Sequence, residues 1–218
     1  MLKKIFDLES PWMLFLSRLA DLIVLNLLFI LGCLPIVTIG ASFTGLYYVS
    51  LKMMRQEEGS VSKTFWKGFR ENIKQATIVW LILALLSGLL YADYRAIGVL
   101  GKELGSLFRY GWYMLCLLYG FVFAYVFPIL ATFENTVKNT MKNALLMSLS
   151  HLPYTVAVLL IWASPFVLFS RWTVFQSVLT PVFVLVGFGL LAYFSSWFLM
   201  RVFRKFMPEE WLEKEEEE

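Results

Sequence analysis

Long stretches without a charged side chain alternate with short polar segments along this sequence. The charge-free stretches are residues 22–51, 75–92, 110–133, 143–170 and 172–200. A helix that crosses a bilayer needs about 20 mostly apolar residues, so each stretch with its flanking positions is long enough for a span. The pattern predicts an all-α fold, a polytopic transmembrane helix bundle that forms a single membrane domain over residues 1–208.

The first charge-free stretch, residues 22–51, is too long for a single span. As one helix it would extend about 45 Å, whereas the hydrocarbon core of a bilayer is about 30 Å thick. Pro35, Thr38 and Gly40 lie in its middle; proline lacks a backbone donor and glycine tolerates left-handed dihedral angles. We therefore predict a span at about 17–36 and a shorter one at about 41–56. The bundle then has six helices, or five if 41–56 does not span.

The distribution of basic residues favours six spans with a cytoplasmic N-terminus, because cytoplasmic loops are enriched in Lys and Arg. Of the 19 basic residues, those left in outer loops are Arg95, Lys102, Arg109 and Arg171. The predicted topology is multi-pass, with both the N-terminus and the C-terminus in the cytoplasm.

The composition excludes a soluble or disordered chain, since 59% of the residues are hydrophobic and 16% are charged, against about 25% charged in soluble domains. Acidic residues are concentrated in residues 209–218, which we interpret as a flexible acidic tail. The remaining chain is basic, which suits an anionic membrane surface. We predict no nucleic-acid partner, because the basic residues sit beside long apolar runs.

Residues 62–75 predict a basic amphipathic helix on the inner surface. Aromatic residues recur at helical spacing on one face: Phe65, Trp66 and Phe69. Charged residues, all but one of them basic, occupy the remainder: Lys63, Lys67, Arg70, Glu71 and Lys74. Helices of this type bind anionic headgroups. The same face could also dock a cytosolic partner, and the sequence leaves both interpretations open.

A second inner helix is predicted at residues 134–150, again just before a span. Its polar residues include Glu134, Asn135, Lys138 and Lys142. The order span, inner helix, span therefore occurs at both 41–94 and 110–169, which is a weak internal repeat. Such repeats are common in transporters.

The residues that could carry chemistry are few. No metal cluster, phosphate loop or nucleophile motif occurs, so we expect no enzyme, no metal and no cofactor. Ionisable residues inside a membrane are candidate functional sites, and Arg18, Asp21 and Asn26 form the candidate intramembrane polar site. The alternative is an Arg18–Asp21 ion pair at the inner interface, with Asn26 linking helices by hydrogen bonds.

The sequence resembles a family through Asn26, the run Leu34-Pro35-Ile36-Val37-Thr38-Ile39-Gly40-Ala41, Leu46-Tyr47-Tyr48, and the Phe65-Trp66 helix as far as Ala76. These motifs are similar to those of the YesL family of bacterial polytopic membrane proteins, and the resemblance extends over nearly the whole chain.

The biochemical activity of that family is not established. Its members are often encoded beside ATP-driven carbohydrate importers, so the resemblance implies a bacterial inner-membrane protein that assists such an importer. The implied partners, besides the lipid bilayer, are the importer's permease or its ATPase. A transporter or channel for a small solute is the alternative function, and the oligomeric state is left open.

Overall fold

The structure is a computed structural model, and it describes residues 11–57, 59–99, 102–171, 177 and 180–207. The described residues form helices and connecting turns, with no strand among them. The helices are α1 (Pro11–Cys33), α2 (Ile39–Met54), α3 (Val61–Ile97), α4 (Lys102–Thr132), α5 (Val137–Ser150), α6 (Leu152–Arg171) and α7 (Phe188–Phe203). A 3-10 turn, Ile36–Thr38, precedes α2, and a π-helical segment, Phe183–Gly187, leads directly into α7. The acidic tail, 209–218, lies outside the described residues.

Five helices of the described chain are long and apolar enough to cross a membrane. They are Trp12–Cys33, Val61–Ile97, Leu104–Thr132, Leu152–Ser170 and Thr180–Phe203. Their outward faces carry large apolar side chains, such as Leu85, Leu107 and Phe166. Exposed apolar surface on this scale requires a lipid environment, so the protein is a multi-pass helical membrane protein.

The break predicted between the first two helices lies at residues 34–38. α1 ends at Cys33, because the residue before a proline is disfavoured in helical conformation. The Thr38 hydroxyl then lies 2.8 Å from the Gly32 carbonyl and 2.9 Å from the Pro35 carbonyl, which fixes the turn. Gly40 lies in the first turn of α2 rather than in the break, and no described glycine has a positive φ.

Helix α2 is a central core helix rather than a sixth candidate span. Its 16 residues extend about 24 Å, less than the hydrocarbon core of about 30 Å. It packs against α1, α3, α4 and α7, and 11 of its residues are buried. The described residues thus contain five candidate spans, the smaller of the two predicted numbers. An odd number of spans places the two termini on opposite sides of the membrane, so the prediction of two cytoplasmic termini belongs to the six-span alternative alone.

Serine and threonine residues are tolerated inside α2 because each hydroxyl donates a hydrogen bond to the backbone carbonyl four residues earlier. The Thr44 hydroxyl donates to the Gly40 carbonyl at 3.0 Å, and the Ser50 hydroxyl to the Leu46 carbonyl at 2.9 Å. A buried hydroxyl that keeps such a bond avoids most of the cost of losing water.

The amphipathic segment 62–75 is continuous with the following span. Both belong to α3, whose 37 residues extend about 55 Å. The second inner helix is separate: α5 begins after Thr136, whose hydroxyl accepts a hydrogen bond from the Asn139 N–H at 3.4 Å. The two copies of the predicted repeat therefore differ in this feature.

Candidate functional site

Glycines allow α2 and the first part of α3 to pack closely. A Cβ atom added at Gly45 would lie 3.0 Å from the Phe65 ring, and one at Gly68 would lie 2.7 Å from the Tyr48 side chain. Small residues are the usual means by which membrane helices approach each other. The two helices form an antiparallel pair that runs from the 34–38 turn to the loop after Met54.

The apolar face of segment 62–75 is buried inside the protein. Phe65 is fully buried and Phe69 is 8% exposed. The ring of half-buried Trp66 lies edge-on to both, with centroids 5.5 Å and 5.2 Å away. These rings therefore contribute to the core with α2 and have little surface left for lipid.

The opposite face of the same segment carries exposed cations. Lys63, Lys67, Arg70 and Lys74 are spaced i, i+4, i+7 and i+11 and are all exposed. This spacing places them along one side of the helix, and we call these four residues the basic stripe. The Arg70 guanidinium lies 5.9 Å from the centre of the Trp66 ring, within the range of a cation–π contact.

Glu57, in the loop before α3, does not pair with the basic stripe. Glu57 pairs instead with α2 and its C-cap, at 2.7 Å from Lys52 and 3.4 Å from Arg55. No ion pair between described residues involves the stripe. The cations therefore face outward and can bind an external anion.

The second inner helix has a similar division into two faces. Lys138 and Lys142 are exposed, whereas Thr140, Ala144 and Ser148 are buried against the bundle. Glu134 and Asn135 lie in the turn before α5 rather than on the helix.

The three residues of the predicted intramembrane polar site do not form one site. Arg18 and Asp21 are half-buried on α1. No ion pair joins them in the described structure, so the expected Arg18–Asp21 pair is absent there. Asn26 is fully buried, because it lies on a different side of α1, about 140° from Asp21 around the helix axis.

Asn26 links α1 to the π-helical segment before α7. Its Nδ2 donates to the Val184 carbonyl at 2.6 Å, and its Oδ1 accepts from the Gly189 N–H at 3.0 Å. A π-helical turn changes the regular helical hydrogen bonding, and the amide satisfies one donor and one acceptor there. Gly189 is needed for this contact, since a Cβ atom at that position would lie 2.8 Å from the Leu22 carbonyl oxygen.

Sequence reasoning missed the buried polar contacts between distant helices. Trp162 Nε1–H donates to the Tyr47 hydroxyl at 2.8 Å, and the Thr155 hydroxyl lies 3.1 Å from the Tyr125 hydroxyl. A cavity of about 30 Å³ lies beside Tyr47 and Trp162 and is otherwise lined by apolar side chains, mostly aromatic. Tyrosine and tryptophan are frequent at membrane interfaces, so their presence in the sequence does not indicate a buried hydrogen bond between helices.

Comparison with known proteins gives a partial match. A family model described as "Protein of unknown function, DUF624" matches residues 22–94. The chain is also similar to the "Uncharacterized protein YteU" of Bacillus subtilis (strain 168), with 27% identity over 160 residues, which cover 71% of this chain and 70% of that protein. No solved structure matches the chain with significance. The region matched by the family model contains all of α2 and the basic stripe.

Proposed function

We propose that this protein is a non-enzymatic accessory component of an ATP-driven carbohydrate importer, and that the basic stripe docks its partner at the inner membrane surface. The observation that carries the proposal is the division of α3 between a buried apolar face and an exposed cationic face. The choice of a carbohydrate importer rests on the resemblance to the YesL family.

Docking to a protein explains this division better than attachment to lipid. An interfacial helix binds a membrane by inserting its apolar face between the headgroups. In this protein Phe65 and Phe69 are already buried against the bundle, so that insertion is not available. The cations remain for long-range attraction and for hydrogen bonds to carboxylates.

The expected partner surface is acidic. Four cations spaced over about three helical turns match a row of Asp or Glu residues on the permease or its ATPase. Exposed charge pairs contribute mainly to the rate of association and to orientation. The interaction should therefore weaken as ionic strength rises.

The cavity inside the helix bundle gives little support to the alternative that this protein is itself a transporter. The cavity beside Tyr47 and Trp162 has a volume of about 30 Å³, which is roughly the volume of one water molecule. A sugar would require a considerable rearrangement of the helices.

The first prediction concerns the basic stripe. Replacing Lys63, Lys67, Arg70 and Lys74 together with glutamine should reduce the permease or ATPase recovered with tagged protein by at least about tenfold, a loss of about 1.4 kcal/mol. The stripe cations point outward, so the variant should fold normally. Recovery is measured by quantitative mass spectrometry after mild detergent extraction from native membranes.

The matched control is Lys138→Gln with Lys142→Gln, which removes two exposed cations from α5. It should retain at least about half of the recovered partner, if recognition depends on the stripe and not on total charge. Failure of the wild-type protein to recover either importer component above background would contradict the proposal, as would equal losses in both variants.

A further inference from the structure

A groove of about 660 Å³ lies between the end of α3 and the beginning of α4, far along the chain from the basic stripe. Its wall includes Asp93, Ala96, Phe108, Gly111, Trp112 and Leu115. The lining is apolar apart from the single carboxylate of Asp93. Within the described residues this carboxylate forms no ion pair.

The floor of the groove is fixed by Trp112. Its Nε1–H donates to the Leu90 carbonyl at 2.8 Å, and the Tyr94 ring packs on it with centroids 5.1 Å apart. Gly111 borders open space in the groove, since a Cβ atom added there would have nothing within 4 Å. A larger side chain at this position could therefore extend into the groove. The shape of the groove therefore depends on the fixed position of the Trp112 indole and on the absence of a side chain at Gly111.

The groove lies where the apolar and polar zones of the membrane meet. Asp93 is the first charged residue after the charge-free stretch 75–92, and Arg109 is the last before the stretch 110–133. Tyrosine and tryptophan residues are concentrated beside both boundaries, at positions 91, 94, 110, 112 and 113. Such residues mark the headgroup level of a bilayer.

We propose that this groove is a binding site for an aminophospholipid. The ammonium headgroup would lie against the Asp93 carboxylate, and the face of Trp112 would provide a second favourable contact for a cation. The acyl region would cover Phe108 and Leu115, which are both exposed apolar side chains. An anionic headgroup is disfavoured, because it would place a second negative charge beside Asp93.

The test uses native mass spectrometry of the purified full chain with phosphatidylethanolamine or phosphatidylglycerol of identical acyl chains. The wild type should retain phosphatidylethanolamine with at least about tenfold preference, and Asp93→Asn should abolish that preference. Gly111→Leu should remove bound lipid by filling the groove. Gly88→Leu is the matched control, since a Cβ atom there also has nothing within 4 Å, and it should bind as the wild type does.

Equal retention of the two lipids by the wild type would overturn the proposal, as would an Asp93→Asn variant that keeps the preference. A wild-type dimer that Gly111→Leu dissociates, without any change in bound lipid, would show instead that a second copy covers the groove. Because Asp93 lies on the surface, its variant should fold normally, so the test remains decisive even if Gly111→Leu is unstable.

Discussion

Replacing Asn26 with leucine is expected to lower the free energy of unfolding by about 2–4 kcal/mol. The substitution removes both hydrogen bonds to the π-helical segment, leaving the Val184 carbonyl and the Gly189 N–H unpaired in the bundle. A buried polar backbone group without a partner costs about 1–3 kcal/mol. The loss can be measured by denaturant titration in mixed micelles, followed by tryptophan fluorescence.

The matched control for this prediction is Asn72→Leu. Asn72 Nδ2 donates to the Gly68 carbonyl of its own helix at 3.0 Å. Removing this side chain therefore leaves no polar group of another helix without a hydrogen-bond partner. We expect a change below about 1 kcal/mol. If both leucine variants had the same stability, Asn26 would not be the main polar link between α1 and the segment before α7.

Replacing Gly40 with alanine is expected to separate α2 from α3 and to cost about 2–3 kcal/mol. The added methyl group would overlap the Ala76 carbonyl and would lie 2.7 Å from Trp80 Cβ. Since α3 backbone must move to relieve this overlap, the cost belongs in the usual range for overpacked cores. Unfolding can be followed with a thiol-reactive dye, because Cys33 and Cys116 are both free and half-buried.

Gly88→Ala provides the contrasting variant, in α3 rather than α2. A Cβ atom at Gly88 has nothing within 4 Å, and alanine favours helix over glycine by about 0.5–1 kcal/mol. We therefore expect unchanged or slightly higher stability. A Gly40→Ala variant as stable as Gly88→Ala would mean that the close α2–α3 contact is absent in the membrane.

The helix break and the inner helices could be predicted from local sequence, since their causes are local. Pro35 ends α1 through its own geometry, and Thr136 caps α5 through a bond three residues away. Charge-free runs likewise identify spans, because lipid excludes charge wherever the chain crosses it.

The surroundings of each helix could not be predicted in the same way. The periodicity of Phe65 and Phe69 shows that one face of the helix is apolar. Either lipid or a neighbouring helix can cover such a face. That α2 covers it depends on glycines opposite large side chains, as at Gly45 and Phe65. One sequence without aligned relatives does not reveal such pairs.

The polar site at Asn26 could be predicted only in part from the sequence, because its partners are distant along the chain. Asn26 was recognisable as a polar residue in an apolar run, but its partners lie about 160 positions away, in a π-helical segment. Hydropathy does not distinguish a π-helical turn from a regular helix. The role of the amide depends on the packing of α1 against the π-helical segment and α7.

The most direct test of the central claim is photocrosslinking from position 67 in native membranes. A photoreactive residue in place of Lys67 lies on the exposed basic face of α3, whereas the apolar face of the same segment is buried. We expect adducts with protein, identified as a permease or ATPase of a carbohydrate importer, that decrease at high salt. Adducts with lipid alone would show that segment 62–75 is a headgroup anchor and would contradict the docking function.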